Sequence, residues 1–212
     1  IARMGMLQAF DRQVVACTLE RLGRDAALLG CTATCAINLT GPTIADPGFP
    51  AFLFERLAAN GIAPETIKLE ITESDPITSI DGAMRNTEVL VRGGLGFALD
   101  DFGTGLATFD YLRRFAPAWV KIDGSFVRAV EDGPLERQIV DSIVRVARAA
   151  GAATVAECVE TPAAIERMRE LGVDYVQGWG IARPMPMETL VAFHRHGAAA
   201  VVPAGAAARV AG

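Results

Sequence analysis

The sequence predicts an α/β fold of the (β/α)8 TIM-like barrel type, with about six of the eight strands present in this chain. Three observations predict it. Helix-like stretches alternate with short apolar, β-branched runs. Each run ends abruptly in a polar or charged residue. The runs are near-continuously apolar, as strands buried on both faces of a parallel sheet are.

The elements follow in order. Phe10–Leu22 has apolar residues at helical spacing, and Gly23 is its expected stop. The first strand is expected over Thr34–Leu39, and a helix over Phe49–Ala59 ends at Asn60-Gly61. The second strand is Thr66–Ile71. The helix Ile77–Val91 closes at Gly93-Gly94. The third strand is Leu95–Asp101, followed by a short helix, Leu106–Phe115, and a fourth strand, Ala118–Asp123. The most regular helix, Leu135–Ala150, stops at Gly151 and leads to the fifth strand, Ala153–Glu157. Thr161-Pro162 supplies a cap and a first-turn proline for Ala163–Leu171. The sixth strand is Asp174–Gln177 and the last helix Met187–His196. No linker splits the chain. Residues 1–197 read as one domain and 198–212 as an Ala/Gly/Val-rich tail without a motif.

The order of units fits a doubly wound sheet or a barrel. The strand-end residues decide between them. Asn38, Glu70, Asp100/Asp101, Lys121, Glu157 and Gln177 stand one set per strand end. A barrel gathers such ends at one mouth, whereas an open sheet spreads them along a line. A complete barrel has eight strands and about 250 residues. The chain has 212 residues, six strand runs and no initiator Met, so a longer protein with about two preceding strands is expected.

Composition narrows the function. Apolar residues make up 51%, which excludes intrinsic disorder. The net charge of −5 argues against a broad nucleic-acid face but leaves room for a local anion pocket. Four cysteines without a CxxC pair, and two histidines near the C-terminus, speak against a disulfide scaffold and a zinc site. Reduced, mostly buried thiols in a cytoplasmic protein are expected. No segment has the roughly 18 apolar residues that span a bilayer.

Carboxylates crowded in one mouth repel each other, and bound cations relieve the repulsion. Hard oxygen ligands without histidine favour Mg²⁺ or Mn²⁺. Two such ions suit in-line hydrolysis of a phosphate ester. Each residue also has a plain structural use. Asp100-Asp101 could cap a helix, Lys121 could pair with Asp123, and Asn38 and Gln177 could satisfy backbone groups. Six sets together make the joint coincidence a weak explanation. Trp179 is expected to pack in the core, with walling of a pocket as the alternative.

LEITES (Leu69–Ser74), LDDFGTG (Leu99–Gly105), DYLRRF with VKIDGSFV (Asp110–Val127), AECVET (Ala156–Thr161) and VQGWGIARPMP (Val176–Pro186) together resemble the EAL domain family. AINLT (Ala36–Thr40) matches an earlier motif in order and place. The resemblance implies a modified barrel of the EAL type. It implies a bacterial phosphodiesterase that cleaves cyclic di-GMP to linear pGpG with two Mg²⁺ or Mn²⁺ ions. By motif, Asn38, Glu70 and Asp100 match ligands of the first metal. Asp100 bridges to the second, to which Asp101 belongs. Lys121 matches the residue that holds the attacking water, and Glu157 a metal-site glutamate with a general-base role. Glu160 and Gln177 match further active-site positions. Glu73 matches the anchor of the loop Phe102–Ala107, where Gly103 and Gly105 give conformational freedom.

Two departures stand out. The Glu-Ala-Leu segment that names the family is absent, together with a following arginine. Its glutamate is a first-metal ligand, so its loss weakens that site. Cys158 stands where the family usually has glycine. The resemblance thus implies an enzyme, with a cyclic di-GMP receptor or protein-interaction module as the alternative. It further implies a homodimer through Phe102–Phe115, further sensor or cyclase domains, and a cytoplasmic place, which a membrane anchor upstream would not alter.

Overall fold

The computed structural model describes residues 2–31, 34–72, 77, 79–105, 108–187, 189–190 and 208–209. The chain divides into two compact units, Ile1–Ala98 and Leu99–Gly212.

The first unit opens with α1 (Ala2–Arg24) and α2 (Ala26–Cys31). α1 buries Val15, Leu19 and Leu22, one stripe at helical spacing. The helix ends at Arg24, one residue past the expected stop at Gly23. Gly23 also serves a close approach, since a Cβ there would lie 2.6 Å from the backbone oxygen of Asn60, just past α4 (Phe49–Ala59). Buried Asp11 ties α1 to the chain after β1 (Cys35–Leu39). Its carboxylate accepts from Thr40 N at 2.9 Å and Thr40 Oγ1 at 2.7 Å. It also accepts from Thr43 Oγ1 at 2.5 Å, on the short helix α3 (Gly41–Ile44). These bonds place β1, and with it Asn38.

β1 runs parallel to β2 (Ile67–Thr72), with Asn38 opposite Glu70. A 3₁₀ turn, Pro64–Thr66, leads into β2. α5 (Ile80–Arg92) begins three residues later than the apolar pattern indicates, because Ser79 caps it by accepting from Gly82 N. The left-handed Gly94 (φ 100°) then turns the chain into β3 (Gly96–Phe102).

The second unit holds the site-bearing end of β3, then α6 (Thr108–Phe115), β4 (Trp119–Ile122), α7 (Gly124–Ala129) and α8 (Pro134–Ala149). There follow β5 (Ala153–Ala156), α9 (Pro162–Glu170) and β6 (Tyr175–Val176). β4, β5 and β6 are parallel, with Lys121 opposite Val155 and Ala156 opposite Val176. α8 buries Val140, Ile143, Val144 and Ala147, the i, i+3, i+4, i+7 stripe legible in the sequence. Thr161 caps α9 by accepting from Ala164 N at 3.0 Å, with Pro162 in the first turn. Asp174 locks the start of β5 by accepting from Thr154 N at 2.8 Å and Thr154 Oγ1 at 2.9 Å.

The short helices α2, α3 and α7 were not legible, since four to six residues complete too few turns for a period to show. Residues 187, 189 and 190 are helical, and the rest of Met187–His196 lies outside the described residues. Most of 198–212 does too, although Ala208–Arg209 forms β7, antiparallel to β6. Cys17, Cys35 and Cys158 are free thiols, but they are not buried as expected. Cys17 stands on the outer face of α1, where its sulfur accepts from Gln13 Nε2, and Cys158 lies in the loop after β5. Among the described residues, no helix is long and apolar enough to cross a membrane.

Candidate active site

Three carboxylates and one ammonium meet in the second unit. Lys121 Nζ lies 2.8 Å from Asp100 Oδ1 and 2.8 Å from Glu157 Oε1. The three side chains are only 7%, 12% and 14% exposed, in the order Lys121, Asp100, Glu157. One oxygen from each of Asp100, Asp101 and Glu157 lies within 4.8 Å of the other two.

Strand geometry explains the meeting. Lys121 on β4 is opposite Val155 on β5, and Glu157 follows Val155 by two residues, hence on the same face. Glu157 N donates to Ile122 O at 3.2 Å, which carries the pairing one step past β5. Asp100 and Asp101 are neighbours, and a regular strand would send them to opposite faces. Asp101 breaks that alternation with a φ of 52°, and its N–H donates to Asp100 Oδ1 at 3.1 Å. Aspartate tolerates this left-handed conformation better than most residues. Gly103 (φ 105°) continues the turn, where a Cβ would lie 2.8 Å from the Phe126 ring.

The cluster carries more negative than positive charge. Burial pushes the Glu157 carboxyl up to about 7, with Asp100 adding to the shift and Lys121 opposing it. Burial, then the Asp100 charge, raises Asp101. Asp123 shares a side-chain hydrogen bond with Asp101. Sequence reading offered Asp123 as the partner of Lys121. It instead caps α7, accepting from Ser125 N at 2.8 Å, and supports Asp101. Its place two residues after Lys121 was the available signal.

Of the remaining candidates, Asn38 and Glu70 are brought opposite each other on β1 and β2 of the first unit. Glu70 is buried and Asn38 exposed. Burial and then the Glu70 charge push the Cys35 thiol up. In the second unit, Gln177 is half-buried and Glu160 exposed. Glu73 lies outside the described residues. Trp179 corrects the core expectation. It is 58% exposed, because it sits on a turn after β6 rather than within the strand, and the Arg183 guanidinium lies 4.7 Å from its ring centroid.

The donor set fits a divalent cation. It offers hard carboxylate oxygens in close array, with excess negative charge and no histidine or thiolate among them. A buried lysine braced by two of those carboxylates suits an anionic oxygen beside the cation. The site is thus an acidic centre at the ends of parallel strands whose residues could hold a divalent cation, an arrangement suited to phosphate esters.

The family is specific. The EAL domain model matches residues 1–184, and the chain belongs to the EAL domain family. The chain is 37% identical over 152 residues to the cyclic di-GMP phosphodiesterase PdeB of Shewanella oneidensis, covering 72% of this chain and 18% of that protein. It resembles the EAL domain of Mycobacterium smegmatis DcpA with a TM-score of 0.82, at 26% identity, over 91% of this chain and 85% of the other. Klebsiella pneumoniae BlrP1, solved with manganese and cyclic di-GMP, aligns with a TM-score of 0.75 at 30% identity, over 82% of this chain and 44% of that one. The fold is therefore α/β and TIM-like, of the EAL type. The chain spans about a fifth to a half of the length of the curated relatives it matches.

Proposed function

We propose that this chain is the catalytic part of a metal-dependent phosphodiesterase that hydrolyses cyclic di-GMP to linear pGpG. The observation that carries the reading is the Lys121 ammonium held between Asp100 and Glu157, with Asp101 in the same cluster. In this reading Asp100, Asp101 and Glu157 hold Mg²⁺ or Mn²⁺, and Asn38 and Glu70 serve as further ligands by motif position. Two ions bound there supply Lewis acidity toward the phosphate ester. Lys121, paired with Asp100 and Glu157, orients the attacking water or a phosphoryl oxygen. Glu157 takes up the proton that the attacking water loses. Gln177 and Glu160 contact substrate or support the site, and Glu73 anchors the loop after Phe102.

The test is incubation of the chain with cyclic di-GMP and Mn²⁺ or Mg²⁺, following pGpG by chromatography beside Lys121→Ala. Metal-dependent turnover that the variant lacks supports the enzyme. The second reading is a cyclic di-GMP receptor or protein-interaction module. Binding without turnover selects it.

The exposed ring of Phe109 on α6 (63% exposed) supports a homodimer through Phe102–Phe115, which light scattering at micromolar concentration checks. The share of the relatives that the chain spans supports further sensor or cyclase domains in the whole protein. Free thiols suit a reducing, cytoplasmic compartment.

A further inference from the structure

Trp179 lies between two glycines on a turn pressed against the segment that follows Glu157. Gln177 N donates to Ala156 O at 2.8 Å, Val159 N to Gln177 O at 3.0 Å, and Gly180 N to Val159 O at 2.8 Å. A Cβ on Gly178 would lie 2.3 Å from Val159 N, and one on Gly180 2.7 Å from the Glu160 carbonyl carbon. Only glycine on both sides of the indole allows the two backbones to come this close. Ala182 N donates to Gly178 O at 3.0 Å, and buried Ala182 pins the far end of the turn. The indole is thus in fixed register with the loop of Glu157 and Glu160.

Two features give it a purpose other than packing. It is 58% exposed, so the apolar surface of the largest side chain in the loop stays in water. The guanidinium of Arg183 covers one ring face at 4.7 Å. That contact holds the ring and sets a positive charge beside it, in a neighbourhood otherwise supplied with carboxylates. A rigid, half-open aromatic face with an adjoining cation is the arrangement on which nucleobases stack.

We propose that Trp179, held by Arg183, is a stacking platform for one purine base of the cyclic dinucleotide, and so a specificity-determining residue. The inference rests on the cyclic di-GMP reading given above. Stacking of this kind changes affinity by about 1–3 kcal/mol per base, which is about fivefold to more than a hundredfold.

The experiment measures cyclic di-GMP affinity of the chain by calorimetry, with Ca²⁺ as the divalent ion. It compares Trp179→Ala, Trp179→Phe and Arg183→Ala with the unaltered chain, and records melting temperature and indole fluorescence. The expected result is an affinity about tenfold weaker in Trp179→Ala, and restored to within about threefold in Trp179→Phe. Arg183→Ala lies between. Saturating ligand quenches indole emission in the unaltered chain and not in Trp179→Ala. Melting temperatures stay within about 2 °C, because so exposed a ring leaves no cavity. Affinity within twofold in Trp179→Ala, or a loss that Phe does not restore, overturns the inference alone. Absence of binding by the unaltered chain overturns the cyclic di-GMP reading, and the inference with it.

Discussion

The Lys121 ammonium lies 2.8 Å from Glu157, and both side chains are closed to all but a seventh of their solvent. Two buried charges of opposite sign are each other's solvation. Removing one strands the other. Lys121→Met should destabilise the metal-free chain by about 3 kcal/mol, since Asp100 and Glu157 then repel without relief. A divalent ion should return part of that stability but not the turnover. Thermal unfolding with and without Mn²⁺, beside the pGpG assay, checks both. Equal stability of the variant and the unaltered chain without metal would contradict the claim that the lysine compensates this cluster.

Glu157 also sets a pH dependence. Its carboxyl is pushed up from 4.5 to about 7, chiefly by burial. The folded chain therefore holds this proton more tightly than the unfolded chain does. The group's contribution to stability is complete below pH 4.5 and is lost as pH rises through about 7. The loss amounts to about 3 kcal/mol. Metal-free unfolding temperature should fall between pH 5 and pH 8. Glu157→Gln should flatten the fall, and Mn²⁺ should reverse it at pH 8. A flat profile in the unaltered chain would show that Glu157 is ionised throughout.

Asp11 is remote in sequence from the motifs yet accepts three hydrogen bonds from Thr40 and Thr43. Asp11→Ala leaves the half-buried Thr40 N–H without its acceptor and the Thr40 and Thr43 hydroxyls with only each other. The expected cost is about 2–3 kcal/mol of stability, read by denaturant unfolding. Mn²⁺ affinity should weaken as well, since these bonds place β1 and with it Asn38, a further ligand in the reading above. A variant with unchanged midpoint would show that water replaces the carboxylate there.

Cys158 adopts a φ of 54°, a region that costs a residue with a side chain about 1–2 kcal/mol. Glycine relieves this but adds freedom to the unfolded chain, about 0.5–1 kcal/mol. Cys158→Gly should therefore gain about 0.5–1 kcal/mol, a rise of a few degrees in melting temperature. Turnover should hold. A lower melting temperature would mean that the thiol's packing against Gly124 outweighs the backbone strain, since a Cβ on Gly124 would lie 2.5 Å from the Cys158 sulfur.

Much of this molecule was legible in one dimension. The stripe Val140, Ile143, Val144, Ala147 announces α8, and Thr161-Pro162 announces the start of α9. Both are local signals, carried by residues within a turn or two of one another. The acidic strand ends were legible as well, because a charged residue closing an apolar run has no place in a core unless it has work to do. Gly23 shows where such reading stops. As a letter it is a helix stop, and in the fold it is also the gap that admits Asn60. That second role is set by a residue 37 positions away, which no local pattern contains.

The sequence by itself determined the order of helices and strands, the residue types of the site and the family, since periodicity, capping and motif spacing are written along the chain. Tertiary structure alone decided the pairings. It gave Lys121 to Asp100 and Glu157 rather than to Asp123. It turned Asp101 into the cluster through a left-handed backbone, and left Trp179 in solvent instead of the core. Those choices depend on strand register, on backbone conformation at single residues and on how closely two loops can approach. Each is a balance of burial, charge and steric contact between distant residues, and it exists only once the chain has brought them together.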